Sequence, residues 1–434
     1  MRLATSALLV ALIGCSPGDP EPPAYLEHRA DSRRTERPSS SAAELPGPVA
    51  SSTPLATRSV RSADVEQIYP TSFTRDASGD GLVVGLGAHG DWVARVDRDG
   101  AMKWVQRFTN LSIGGAGFTS DGGALVAGTT VGALDVLAAR VDTHATTIVL
   151  AKLDASGGVR STKGYSGMGV AQQTQLTTLG ADRFLLVGSF GASLVLDHEL
   201  PGGLPVRARD ESHRNVFFAE VNAAGEVTSS RELGAEARPE GLASRLGVTA
   251  IMGTFLDSIT WPPSARLSAD PASNVDWPSG FLALLDASGG AYWSRAGAFS
   301  GLAFTDNDVV TCVGTAGALA LGGPRPSQRL LALRANGEEQ FETELPIQSS
   351  CTSIVRVAGA TYVSGRAMTP TENGLRLVKV DASGRVVATR KLPELLDGAS
   401  PPLLAWDGAS LVAVGVGAPT PSSASPLVVM TLDP

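Results

Sequence analysis

The chain has 434 residues, 49 of them glycine and 27 proline, with 18% charged residues, three cysteines and a net charge of −8. Average domains are about 25% charged and about 7% glycine, so this chain is charge-poor and glycine-rich. There is no collagen period, three cysteines are too few for a disulfide scaffold, 43% apolar content argues against wholesale disorder, and the acidic balance argues against sequence-independent nucleic-acid binding.

Residues 1–14 read as a secretion signal. Arg2 gives a positive start, and Leu8 to Ile13 form the apolar run, far short of the roughly 20 residues that span a bilayer. The segment ends Leu12-Ile13-Gly14-Cys15 and resembles a bacterial lipobox. That resemblance implies diacylglycerol on the Cys15 thiol, cleavage before it, further acylation and, with Ser16 following, an outer-membrane destination. Several acyl chains would make the anchor stable, since one chain is marginal. Residues 15–59 carry Pro17, Pro20, Pro22, Pro23, Pro38, Pro46, Pro48 and Pro54 among serines. They read as a disordered, partly extended tether.

Residues 60–434 repeat. A short apolar strand runs into an Asp/Asn-x-x-Gly turn ending at Gly100, Gly157, Gly225, Gly289 and Gly384, with a copy one residue shorter before its turn, Arg334-Ala335-Asn336-Gly337; a seventh copy begins at Val428 and stops after Asp433. A second apolar strand, closed by a glycine, precedes each copy: Gly85, Gly128, Gly188, Gly253, Gly314, Gly365 and Gly415. From turn glycine to the next strand glycine the spacings are 28, 31, 28, 25, 28 and 31 residues. Asp suits a type I corner and Gly its left-handed position. Each unit has room for four short strands and cannot bury both faces alone. Units closed radially leave only short edges. The expectation is an all-β, seven-bladed β-propeller of four-stranded antiparallel blades, with six to eight blades allowed. The last copy lacks a strand after its turn. A spare stretch around Val60 to Ile68 would complete blade seven, or that blade stays open.

Length varies between the second and third strands. The strand-glycine to turn-glycine distance is 15, 23 and 19 residues in copies one, five and six, but 29, 37 and 36 in copies two, three and four. The insertions, about 129–147, 189–214 and 254–279, must leave on one face from neighbouring blades. Long loops on one sector suit a binding site. The candidate contact residues are Phe190, Arg207, Arg209, Phe255, Trp261 and Trp277, and the rival reading is longer hairpins packed on their own blades.

The search for catalysis is mostly negative. His28, His89, His144, His198 and His213 form no metal-ligand spacing, and no Gly-x-Ser-x-Gly elbow precedes a helical pattern. Asp76 to Gly81 and Asp97 to Gly100 faintly resemble calcium loops but lack a full carboxylate set. No catalytic residue, metal or cofactor is expected. Cys312 and Cys351 remain once Cys15 is lipidated. In an oxidising envelope they either pair across blades five and six or stay separate buried thiols.

The strand Phe281 to Trp293, with Gly188-Ser189-Phe190 and Gly253-Thr254-Phe255 one strand before their turns, resembles the repeats of bacterial surface β-propeller lipoproteins. A weaker likeness is to quinone-cofactor-type propeller repeats, in which a tryptophan docks between blades. Trp104 and Trp293 stand near that place, Phe341 substitutes, and the spacing departs by one residue, so cofactor binding is not implied. The function expected is a lipid-anchored envelope scaffold, periplasmic or surface-exposed, binding a protein or glycan. The alternatives are an envelope assembly factor, or a lyase or hydrolase with its site on the propeller axis.

Overall fold

Short apolar runs separated by tight turns become strands, because apolar and β-branched side chains fit a pleated, buried surface. A computed structural model describes residues 57–63 and 68–433, apart from 88, 131–133, 137–138, 142–146, 169–171, 192, 195, 197–205, 208–214, 234–236, 246, 262–264, 270–278, 287–288, 306–307, 315–327, 349–350, 358, 369–372, 397–398, 407 and 420–425. Cys15, the signal segment and the tether up to residue 56 lie outside the described residues.

β1 (Thr57–Ala63) comes first. Blade one holds β2 (Ile68–Arg75), β3 (Gly81–Gly87), β4 (Asp91–Val96) and β5 (Met102–Phe108). Blade two holds β6 (Leu111–Phe118), β7 (Ala124–Thr130), then β8 (Leu134–Val136) and β9 (Ala139–Val141) in its insertion, and β10 (Thr147–Leu153) and β11 (Val159–Met168). Blade three holds β12 (Gln172–Gly180), β13 (Arg183–Phe190), inserted β14 (Ser193–Leu194) and β15 (Val206–Arg207), then β16 (Asn215–Asn222) and β17 (Val227–Leu233). Blade four holds β18 (Ala237–Arg245), β19 (Val248–Phe255), inserted β20 (Ser258–Trp261) and β21 (Ala265–Ser268), then β22 (Ser279–Leu285) and β23 (Ala291–Ala296). Blade five is β24 (Ala298–Phe304), β25 (Asp308–Gly314), β26 (Arg329–Arg334) and β27 (Glu339–Glu344). Blade six is β28 (Ser353–Val357), β29 (Ala360–Met368), β30 (Asn373–Val380) and β31 (Val386–Lys391). Blade seven is β32 (Leu403–Trp406), β33 (Leu411–Val416) and β34 (Leu427–Leu432), with β1 as its fourth strand.

The first strands β2, β6, β12, β18, β24, β28 and β32 pack side by side in sequence, and β32 meets β2. The protein is therefore a closed seven-bladed β-propeller, all-β among the described residues. The closing strand pairs Thr57 with Leu432 and Ala63 with Leu427. It begins three residues earlier than Val60 and ends before Ile68, which starts blade one.

Both faces of the middle strands are buried, and alternate residues face opposite neighbours. Val83 packs with Val412 and Val414 of blade seven, while Leu82 and Val84 pack with Val126 and Ala151 of blade two. Seven such clusters, one per blade joint, make up the core among the described residues. At the joint of blades five and six, Cys312 of β25 and Cys351, just before β28, are joined as a disulfide with Cα atoms 6.1 Å apart.

Candidate functional site: the two faces of the propeller

Strand alternation gives the propeller two unlike faces. One carries the first-to-second and third-to-fourth turns, and we call it the turn face. The other, the loop face, carries the second-to-third connections and those between blades.

The turn face is built for packing. At Asp154 the Gly157 N–H donates to the Asp154 carbonyl at 3.0 Å. The side-chain oxygen accepts from the N–H groups of Ser156 at 2.8 Å and Gly158 at 2.9 Å. Gly157 takes φ 86°, where a β-carbon is strained. It would also stand 2.6 Å from the Trp104 ring of the preceding blade, whose Nε1 donates to the Ala155 carbonyl at 3.0 Å. Trp293 repeats this on the turn of blade five, donating to the Ala335 carbonyl at 2.9 Å, and Phe341 covers Gly384 of blade six. The Tyr165 hydroxyl donates to the Gly225 carbonyl at 2.5 Å, and the Arg231 guanidinium lies against Gly289. The turns of blades two to six are thus each held by a fourth-strand side chain of the blade before.

The acidic groups here serve the same end. Asp76 caps its own turn, accepting from the N–H groups of Ser78 and Asp80, and Asp97 accepts from the Ala101 N–H. Asp80 receives Arg95 at 2.6 Å and Lys103 at 2.7 Å. Burial pushes its carboxyl up, and the bonds from Lys103 and Arg95 outweigh that and hold it below the usual value. Asp308 meets Arg356 of blade six at 2.8 Å, with Arg356 also over the Phe341 ring. Among the described residues no three His, Cys, Asp or Glu side chains gather as a metal site. His89 is exposed in the connection before β4. The other four histidines lie outside the described residues.

On the loop face the described strands of the insertions pack against neighbouring strands. β14 pairs with β11, setting Leu194 against Gly167 and Ser193 against Met168, and extends blade two to six strands. β15 lies by β17 of its own blade. The β20–β21 hairpin places β20 by β17 and β21 by β23. Those of blades three and four therefore bridge their own blade and the one before. In blade two the inserted β9 lies by β11 of the same blade, as a hairpin on one blade would.

The reading of the aromatic residues as contacts is corrected. Phe190, Phe255 and Trp261 are 0–1% exposed. Phe190 meets Phe217 edge-on at 6.2 Å, Phe255 meets Phe281 at 6.2 Å, and Trp261 meets Phe281 at 5.8 Å. The gap between radial blades widens outward, and these large rings fill it. They offer no contact surface. Arg207 pairs through its backbone with Ser193, and Arg209 and Trp277 lie outside the described residues.

Among the described residues, the loop face presents several exposed side chains near the axis. The first strands of blades one, two, three and four each carry a β-bulge near the strand glycine. The extra residues are Thr71, Gly114 and Glu240, opposite Gly85, Gly128 and Gly253, and one of the Gln173–Thr174 pair opposite Gly188. A β-carbon on Gly253 would stand 2.1 Å from the Arg238 carbonyl, so the glycine makes room for the bulged backbone. Bulges re-aim side chains and recur beside functional sites. Tyr69 and its cross-strand partner Leu86 are 56% and 43% exposed. Arg238 and Glu240 stand 3.9 Å apart, each about half exposed, and the Thr254 hydroxyl donates to Glu240 at 3.4 Å. None of these residues was singled out from sequence. Pro70 and Pro239, just before their bulges, are the available signal, because proline in a sheet is confined to edges and bulges.

No protein-family model matches the chain, and no curated protein matches it. Solved structures match at low identity. The Dos1 propeller gives a TM-score of 0.47 at 12% identity, covering 87% of this chain and 95% of that one. A catalytically inactive virginiamycin B lyase from Staphylococcus aureus, solved with quinupristin, gives 0.43 at 12% identity over 86% and 99%. An uncharacterised Listeria monocytogenes protein gives 0.41 at 8% identity over 82% and 92%. The likeness is one of fold, and no site or activity is carried over.

Proposed function

We propose that this chain is a lipid-anchored cell-envelope lipoprotein whose propeller is a non-catalytic scaffold, binding a protein or glycan on its loop face. The membrane partner is reached through lipid on Cys15, at the outer membrane. The observation that carries the reading is the unlikeness of the faces. The turns on one face are short, and the third-to-fourth turns of blades two to six are each held by the blade before, while the long connections leave on the other. Thr57 pairs with Leu432 at the turn-face end of β34, so β1 enters its blade from the turn face. Labelling cells with radioactive palmitate tests the anchor. Label on the wild-type chain and none on Cys15→Ala supports it; equal label on both refutes it.

A further inference from the structure

We propose that Asn336 is a site of spontaneous covalent modification, losing its side-chain amide to leave aspartate and isoaspartate in the third-to-fourth turn of blade five. The repeat marks this turn as unlike the others. Blades one, two, four and six open it with Asp97, Asp154, Asp286 and Asp381, and blade three with Asn222, whereas blade five opens it with Arg334. Without that capping side chain, Asn336 caps the turn from two residues further on. Its Oδ1 accepts from the Glu338 N–H at 3.1 Å, the counterpart of the Gly158 N–H that Asp154 accepts in blade two. An asparagine bonded to its own backbone two residues on is an Asx turn, and that bond folds the side chain toward the backbone of Gly337. Asn336 is exposed, so water reaches it, and Gly337 has no β-carbon to hinder ring closure. Asparagine is among the thermolabile residues, and of the seven in this chain only Asn336 and Asn373 precede a glycine. Asn373 stands in the β30 ladder opposite Met368, with Gly374 opposite Ala367, which keeps its backbone extended.

The reaction needs only water and hydroxide. Hydroxide takes the Gly337 N–H proton, and the nitrogen attacks Asn336 Cγ. A Cγ–N bond forms in a cyclic imide as the Cγ–Nδ2 bond breaks. Nδ2 leaves as ammonia, drawing its last proton from water, which restores the hydroxide. Water then opens the imide on either side. Breaking the new Cγ–N bond gives aspartate. Breaking the original peptide C–N bond gives isoaspartate, whose main chain runs through Cβ and is a carbon longer. The Gly337 N–H is bonded to the Arg334 carbonyl at 2.8 Å, so the folded turn reacts more slowly than the same sequence in a free peptide. The extra carbon falls where blade four grips blade five. The Trp293 Nε1 donates to the Ala335 carbonyl at 2.9 Å, and the Arg295 guanidinium donates to the Gly337 carbonyl at 2.6 Å. These acceptors stand on either side of residue 336, so a longer chain between them cannot leave both bonds in place.

The test stores the full chain in detergent for weeks in mildly alkaline buffer at physiological temperature, followed by peptide-mapping mass spectrometry and calorimetry. The expected result is loss of intact Asn336 ahead of Asn373, with aspartate and isoaspartate appearing at position 336, more slowly than in a synthetic peptide of residues 331–341. The melting temperature should fall in step with the isoaspartate fraction. Asn336→Ser installs the residue type that blades two, four and six carry at this place, as Ser156, Ser288 and Ser383. Whatever its starting melting temperature, that variant should keep it through storage. Asn336 intact in the stored protein, or converted only after Asn373, overturns the assignment. Isoaspartate at position 336 with an unchanged melting temperature overturns the consequence for the joint of blades four and five. If Asn336→Ser does not fold, the mass spectra of the wild-type chain decide alone.

Discussion

Five side chains at the blade joints divide one task. Trp104, Tyr165, Arg231, Trp293 and Phe341 each reach a turn glycine of the next blade. Trp104→Ala removes ring packing and the bond to the Ala155 carbonyl. It should cost roughly 2–3 kcal/mol, less than a fully buried ring because Trp104 is half-buried, read by chemical denaturation. Asp121 gives a pH signature. The bond from the Lys152 ammonium, 2.7 Å away, holds its carboxyl at about 2 against an ordinary 3.8. A lowered folded value stabilises the protein above pH 3.8 and is lost as pH falls toward 2. Lys152→Met should flatten the loss of melting temperature between pH 4 and pH 2; an unchanged acid profile would contradict the assignment. The glycines of the turns were legible in sequence because a turn is local chemistry. Trp104, Trp293 and Phe341 were legible too, each four residues past its own turn glycine. Tyr165 and Arg231 stand eight and six residues past theirs, and only the neighbouring blade shows that they do the same work.

At the scale of elements, β1 closes the ring. Without it β34 would present a bare edge of unpaired backbone groups at blade seven. Deleting residues 57–63 from the full chain should lower the melting temperature more than Trp104→Ala does, measured by calorimetry. A shift no larger than that of the point variant would mean the ring does not depend on its closing strand. The missing fourth strand of blade seven was readable from the truncated last repeat, and its partner lay within a few residues of the expected place. The insertions were readable as insertions from their lengths alone. Their packing was not, because whether Phe190, Phe255 and Trp261 face solvent is decided by a neighbouring blade distant in sequence. An aromatic residue in a long loop reads as a contact residue until the wedge it fills is seen. The bulges at Thr71, Gly114 and Glu240 were hidden for a related reason. Strand register is a property of a pair, and one strand carries only hints of it, here Pro70 and Pro239.

At the scale of the whole molecule, the repeat made the fold readable, since seven repeated units admit few ways of burying two faces each. The face of recognition follows from asymmetry between the two ends of the strands. Short, mutually clamped turns occupy the end where Thr57 enters, and the long connections, the inner-strand bulges and the exposed Tyr69–Leu86 pair occupy the other. The most direct measurement is photo-crosslinking in intact cells, with a benzophenone amino acid placed at Tyr69 or Leu86 on the loop face, or at Asp99 or Ser383 in exposed turns. The account predicts adducts from positions 69 and 86 and none from 99 and 383. Adducts confined to 99 and 383 would contradict it.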